Sequence, residues 1–158
     1  MRPATFSLGL ATMLVLIASA AGDVSAQSGV KAPVVLTTGE MSWSTQGGLA
    51  LPGLEQVSLV GDPSKPGPYT VRLKFPAGYK LAPHTHPDAR EVTILSGTWY
   101  TGYGGSYDPG LLKALPAGSF YTEPANVPHF VEVHDPVIIQ VSGVGPSGRA
   151  FVAAEKPK

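Results

Sequence analysis

Glycine and proline interrupt this chain so often that long helices have little room. There are 19 Gly and 16 Pro among 158 residues, about 22% of the chain and just short of a low-complexity proportion. Punctuation at this density favours many short strands joined by turns. The remaining composition removes several function classes. Eleven Lys and Arg balance eleven Asp and Glu, so no surplus of positive charge is present to neutralise phosphates, and nucleic acid is excluded as a partner. A hydrophobic share of 43% is too high for a disordered chain. Without Cys there is no disulfide framework and no thiolate nucleophile, and any metal must be held by nitrogen or oxygen.

The N-terminus reads as a leader. Met1 to Gly22 carries one charge, Arg2, then the apolar centre Leu8 to Ile17, then small residues from Ala18 to Gly22. This is the three-part layout of a secretory signal peptide. Val24-Ser25-Ala26 favours cleavage before Gln27, with a site after Ala20 as the alternative. The apolar centre has 10 residues, against roughly 20 needed to span a bilayer, so no stable membrane anchor is expected. The reading is therefore a signal peptide over 1–26 and a single exported domain over 27–158, periplasmic or secreted, with the short end Glu155 to Lys158 left loose.

Within that domain the hydrophobic pattern is that of strands. Candidates are Val34–Leu36, Gln56–Val60, Tyr69–Phe75, Glu91–Leu95, Gly97–Thr101, Ser119–Thr122, His129–Val133 and Val137–Val141. Tyr69 to Phe75 alternates, with Val71, Leu73 and Phe75 on one face and Arg72 and Lys74 on the other. Eight such runs between turn signals predict an all-β barrel or sandwich. The glycine-rich stretch from Gly102 to Gly110 reads as a flexible insertion, and Leu111 to Leu115 as a helical turn.

The chemistry-bearing side chains gather in two segments. All four His lie between positions 84 and 134. His84 and His86 are two apart, so in an extended segment both imidazoles face one side. Glu91 follows a turn-prone stretch, Pro87 to Arg90, and would fold back beside them. His129 opens a later strand after Pro124-Ala-Asn-Val-Pro128. Each group alone reads equally as a surface or turn residue. Together, three neutral imidazoles and a carboxylate suit one divalent first-row metal, such as Mn, Fe, Ni, Cu or Zn.

Glycines and prolines at fixed offsets make the pattern more specific. Gly78-x5-His84-x-His86-x4-Glu91-x5-Gly97 and Gly118-x5-Pro124-x-Asn126-x2-His129 resemble the two motifs of the cupin superfamily, over roughly Tyr69 to Val141. The chain departs from it where the interval from Glu91 to Gly97 is one residue shorter than the common form and where Asn126 stands at a usual Gly, a substitution that left-handed backbone tolerates. Val133 also replaces a frequent Asn. The resemblance implies a double-stranded β-helix, or jelly-roll barrel, of the small single-domain bacterial kind, with His84, His86, Glu91 and His129 coordinating the metal from inside. Glu91 would double as a catalytic base. His134 would face away and Phe130 would pack outside the barrel, while Arg90 and Glu123, close in sequence to the ligands, read as exposed charges near turns, with orienting a substrate carboxylate or relaying a proton as the alternative. Phe75, Tyr79, Trp99 and Tyr121 read as core or as the lining of the bowl.

The function implied is that of an exported metal-dependent enzyme acting on a small organic molecule, with a dioxygenase-type oxidoreductase favoured. The alternative is a non-catalytic periplasmic metal- or ligand-binding module, similar to the sensor cupin of some anti-sigma factors. Homodimers are common in the superfamily, and Val34–Leu36 with Gln56–Val60 are the strands that would serve.

Overall fold

A computed structural model describes residues 32–46, 49 and 51–153 of the chain. The expected signal peptide and the loose C-terminal end lie outside these residues. The fold is all-β: β1 (Glu55–Val60), β2 (Gly67–Phe75), β3 (Lys80–Thr85), β4 (Arg90–Ser96), β5 (Thr98–Tyr103), β6 (Lys113–Pro116), β7 (Phe120–Glu123), β8 (His129–Glu132), β9 (Val137–Gly145) and β10 (Ala150–Phe151). Two antiparallel five-stranded sheets are formed, in the orders β1-β2-β9-β4-β7 and β10-β3-β8-β5-β6. Apart from the β1–β2 and β5–β6 hairpin pairs, successive strands pass from one sheet to the other, as in a jelly roll.

Period-2 alternation places the core between the sheets. The first sheet contributes Tyr69, Val71, Leu73 and Phe75 from β2, Val92 and Ile94 from β4, and Val137, Ile139 and Val141 from β9. Leu81, Trp99, Leu115 and Val131 face them from the second, and the Phe75 and Trp99 rings meet edge-on at 4.7 Å. On the outer face of β2, Arg72 donates to Met41 Sδ at 3.4 Å and Lys74 lies 4.3 Å above the Trp43 ring. The N-terminal segment therefore covers that end of the sheet.

Three sequence expectations change. Val34–Leu36 forms no strand and is exposed. The expected helical turn over Leu111 to Leu115 is a 3-10 turn at Pro109–Leu111 followed by β6, because pairing with β5 holds Lys113–Pro116 extended. The His84-x-His86 segment lies on and just beyond β3, which its weak apolar pattern does not announce. That strand is bulged: Leu81 pairs with Val131 and His84 with His129, so three steps on β3 oppose two on β8. The extra residue turns His84 to the inside face that Leu81 already occupies. Phe130 is fully buried outside the main core, against Gly102 and the Tyr107 ring. The insertion thus serves as its cover.

Gly97 is where the chain leaves one sheet for the other. Its φ is +74°, and a Cβ there would stand 2.6 Å from the Pro136 carbonyl oxygen and 2.8 Å from a Val137 methyl. Left-handed strain and overpacking act together. Gly97→Ala is expected to cost about 2 kcal/mol or more of folding stability, measured by urea unfolding; an unchanged midpoint would contradict this account of the crossover.

Candidate metal centre

Three imidazoles converge inside one end of the barrel. His84, His86 and His129 are buried, and one ring nitrogen from each lies within 4.8 Å of the others. His84 reaches this place through the β3 bulge and His129 opens β8 directly opposite it. His86 sits just past β3, where its carbonyl accepts from Asn126 N–H at 2.7 Å. Asn126 has φ 61°, the left-handed backbone expected at that motif position.

Each ring is held by the same device. Nδ1 of His84 donates to the Ala82 carbonyl at 2.8 Å, Nδ1 of His86 to Gly148 at 2.7 Å, and Nδ1 of His129 to Val127 at 3.2 Å. A carbonyl only accepts, so the proton of each neutral ring sits on Nδ1 and the Nε2 lone pair is the one turned inward. Backbone hydrogen bonds of this kind orient metal-binding imidazoles. His129 Nε2 is buried and has no hydrogen-bond partner among the described residues. The donor set and its orientation fit a divalent first-row ion.

Glu91 does not join them. On β4, Arg90, Val92 and Ile94 point inward and Glu91 is exposed, opposite Thr122 and Ser142 on the outer face. The pleat alone decides this, since adjacent residues on a strand face opposite ways. The one-residue shortfall between Glu91 and Gly97 carried the signal: the residue at the common interval is Arg90. The expected ligand and catalytic base at Glu91 is thereby corrected.

The inward carboxylate comes from β7 instead. Glu123 is buried, with Oε2 3.5 Å from His86 Nε2 and Oε1 3.4 Å from His129 Nε2. Tyr121 O–H donates to Oε1 at 2.8 Å, and Trp99 Nε1–H donates to Tyr121 at 2.9 Å. Arg90, also buried, places Nη1 3.1 Å from His86 Nε2 and 3.8 Å from Glu123 Oε2. Its other nitrogens reach Asp88 at 3.4 Å, Gly148 O at 3.2 Å and Ser147 Oγ, while Tyr69 O–H at 2.5 Å and Ser147 O–H at 2.7 Å donate to Asp88. Burial alone would raise the Glu123 carboxyl, but the polar and charged groups around it, the Arg90 guanidinium among them, outweigh burial and hold the group to about 2. His134 is exposed and pairs with Glu132, as its facing predicts.

The family follows from comparison with known proteins. A family model described as the ChrR cupin-like domain matches residues 31–142. The chain belongs to this family. No curated protein matches it. Among solved structures, this cupin is similar to an RmlC-like cupin from Shewanella frigidimarina, with 18% identity, a TM-score of 0.53, and 76% of this chain and 91% of that one covered. The polyketide cyclase RemF from Streptomyces resistomycificus shares 13% identity at a TM-score of 0.59, covering 77% and 87%. Salicylate 1,2-dioxygenase from Pseudoaminobacter salicylatoxidans in complex with gentisate shares 13% at 0.53, covering 69% of this cupin and 31% of that chain. These likenesses show the fold.

Burial makes the imidazoles resist protonation. Burial, then the neighbouring His129, lowers His84 from 6.5 to about 3; burial, then Arg90, lowers His86 to about 4. An unfolded chain takes up these protons below pH 6.5 while the folded one refuses them, so stability falls as pH falls. Metal-free protein should lose up to about 1–2 kcal/mol per pH unit between about pH 6.5 and 4.5, measured by urea unfolding in chelator. A flat profile there would show that the rings titrate normally.

Proposed function

We propose that this cupin is an exported, metal-dependent enzyme acting on a small organic anion, with a dioxygenase-type oxidoreductase reaction favoured. The observation that carries the reading is the convergence of three buried Nε2 lone pairs, each fixed by an Nδ1 hydrogen bond to backbone. His84, His86 and His129 would hold one divalent ion. Such an ion supplies Lewis acidity to a coordinated substrate and, when redox-active, reactivity toward dioxygen.

The protein charges around the site explain the choice of an anion. Arg90 is offset by Asp88 and Glu123, and Arg149 lies close enough for its charge to act on His84, Arg90 and Glu123. The two arginines balance the two carboxylates. A divalent ion would therefore bring positive charge that no protein group cancels, and an anionic ligand is the natural complement. Arg149 Nε is buried without a hydrogen-bond partner among the described residues, a donor suited to a carboxylate. The structure of salicylate 1,2-dioxygenase with gentisate, a phenolic carboxylate, supports the same substrate class. A non-catalytic ligand-binding module is the second reading, favoured by the Arg90 hydrogen bond that already occupies His86 Nε2.

Protein purified from an expressing bacterium without added metal should contain close to one first-row ion per chain, and His84→Ala and His129→Ala should lose it; elemental analysis reads both. Reconstituted separately with Fe, Mn, Ni, Cu and Zn, it should consume oxygen or convert a member of a panel of phenolic and enolic carboxylates. Thermal shifts with such compounds but no turnover would establish the binding module instead. Export predicts a periplasmic protein beginning at Gln27, and intact mass of the fractionated protein tests it; a cytoplasmic chain retaining Met1 would refute it.

A further inference from the structure

The cupin motif carries its carboxylate on the strand that follows the His pair, and here the inward residue at the start of that strand is Arg90. We propose that the carboxylate donor has moved across the sheet to Glu123 on β7, and that Arg90 positions it. The inference rests on the metal-binding reading above and adds a fourth donor to it.

Register makes the exchange geometrically simple. Arg90 and Glu123 are directly paired across β4 and β7, so both side chains project from the same face at neighbouring positions. The distances fit a shared ion. Donor atoms bound at about 2.0–2.2 Å to one cation lie roughly 3–3.5 Å apart in octahedral or tetrahedral arrangements, and the Glu123 oxygens are 3.4 Å and 3.5 Å from His129 Nε2 and His86 Nε2.

The facing atoms also need a cation. His129 donates through Nδ1 to the Val127 carbonyl, so the inward Nε2 of its neutral ring is an acceptor. Among the described residues it has no hydrogen-bond partner, and it confronts a carboxylate oxygen, another acceptor. Two buried lone pairs at this separation repel unless positive charge stands between them. The outer partners of Glu123 are those of an oriented ligand: Tyr121 donates to Oε1, with Trp99 behind it, and Arg90 stands on the Oε2 side. A metal on His86 takes the lone pair that Arg90 Nη1 now uses, and Glu123 Oε2 is then the acceptor left to that nitrogen. Arg90 keeps its place through Asp88, Ser147 and Gly148.

Glu123→Gln preserves shape and removes the charge. Affinity for Co(II) and Zn(II), read by chelator competition, should fall at least about tenfold, and the visible spectrum of the Co(II) protein should change. Glu91→Gln should leave both unaltered. Arg90→Glu in the Glu123→Gln background, which returns a carboxylate to β4, should recover affinity. Should Glu123→Gln fail to fold, Glu123→Asp, which withdraws the carboxylate by one methylene, should show a smaller loss in the same assay. Equal affinity and spectrum in Glu123→Gln and the parent protein would overturn the proposal while leaving a three-histidine site intact. A weakening by Glu91→Gln equal to that by Glu123→Gln would overturn it as well. Absence of binding in the parent protein itself would remove the metal reading and this inference together.

Discussion

A guanidinium in a barrel interior has to be surrounded by acceptors, and the end of this barrel is organised around how Arg90 obtains them. Asp88 supplies the countercharge from the turn before β4, Glu123 supplies a second from the adjacent strand, and Ser147 and the Gly148 carbonyl close the ring from beyond β9. Leaving any one of these groups unpaired in a dry interior is costly. Gly143 lies opposite both Tyr69 and Arg90, and a Cβ there would stand 2.7 Å from the Tyr69 hydroxyl. The missing side chain is what lets Tyr69 reach Asp88.

The imidazoles depend on a different economy of hydrogen bonds. Backbone carbonyls at Ala82, Val127 and Gly148 each hold one ring, so orientation comes from main-chain geometry. Two of these acceptors sit two residues before their own histidine, Ala82 at the bulge of β3 and Val127 in the segment leading into β8. The third comes from the segment leading into β10, which makes His86 a reporter of whether the C-terminal part of the barrel has docked. The Gly148 carbonyl is shared between His86 and Arg90, coupling the metal-facing ring to the charge network. Exchange at one would be felt at the other.

The two sheets were legible from alternation wherever one face is apolar. Tyr69 to Phe75 shows its buried face in the sequence, and the structure agrees residue by residue. Strands β3 and β6 were harder to see, because β3 carries a bulge, Pro83 and His84, and β6 is held by its pairing with β5 more than by its own propensity. Val34–Leu36 shows the converse: β-forming residues without a partner strand remain outside the sheets.

The sequence by itself determined that a cysteine-free chain is β-rich and sets three histidines at the spacing of the cupin motifs between glycine- and proline-marked turns, because residue type and alternation suffice to mark strands and turns. Only the tertiary structure decided which carboxylate faces them. Glu91 and Arg90 are neighbours in the chain, and one step of strand phase separates solvent from interior. That phase is set by the register of β4 against β7 and β9, a long-range pairing that local spacing does not encode. The same pairing brings Glu123, more than thirty residues away in the chain, to the place where the motif leads one to look for Glu91.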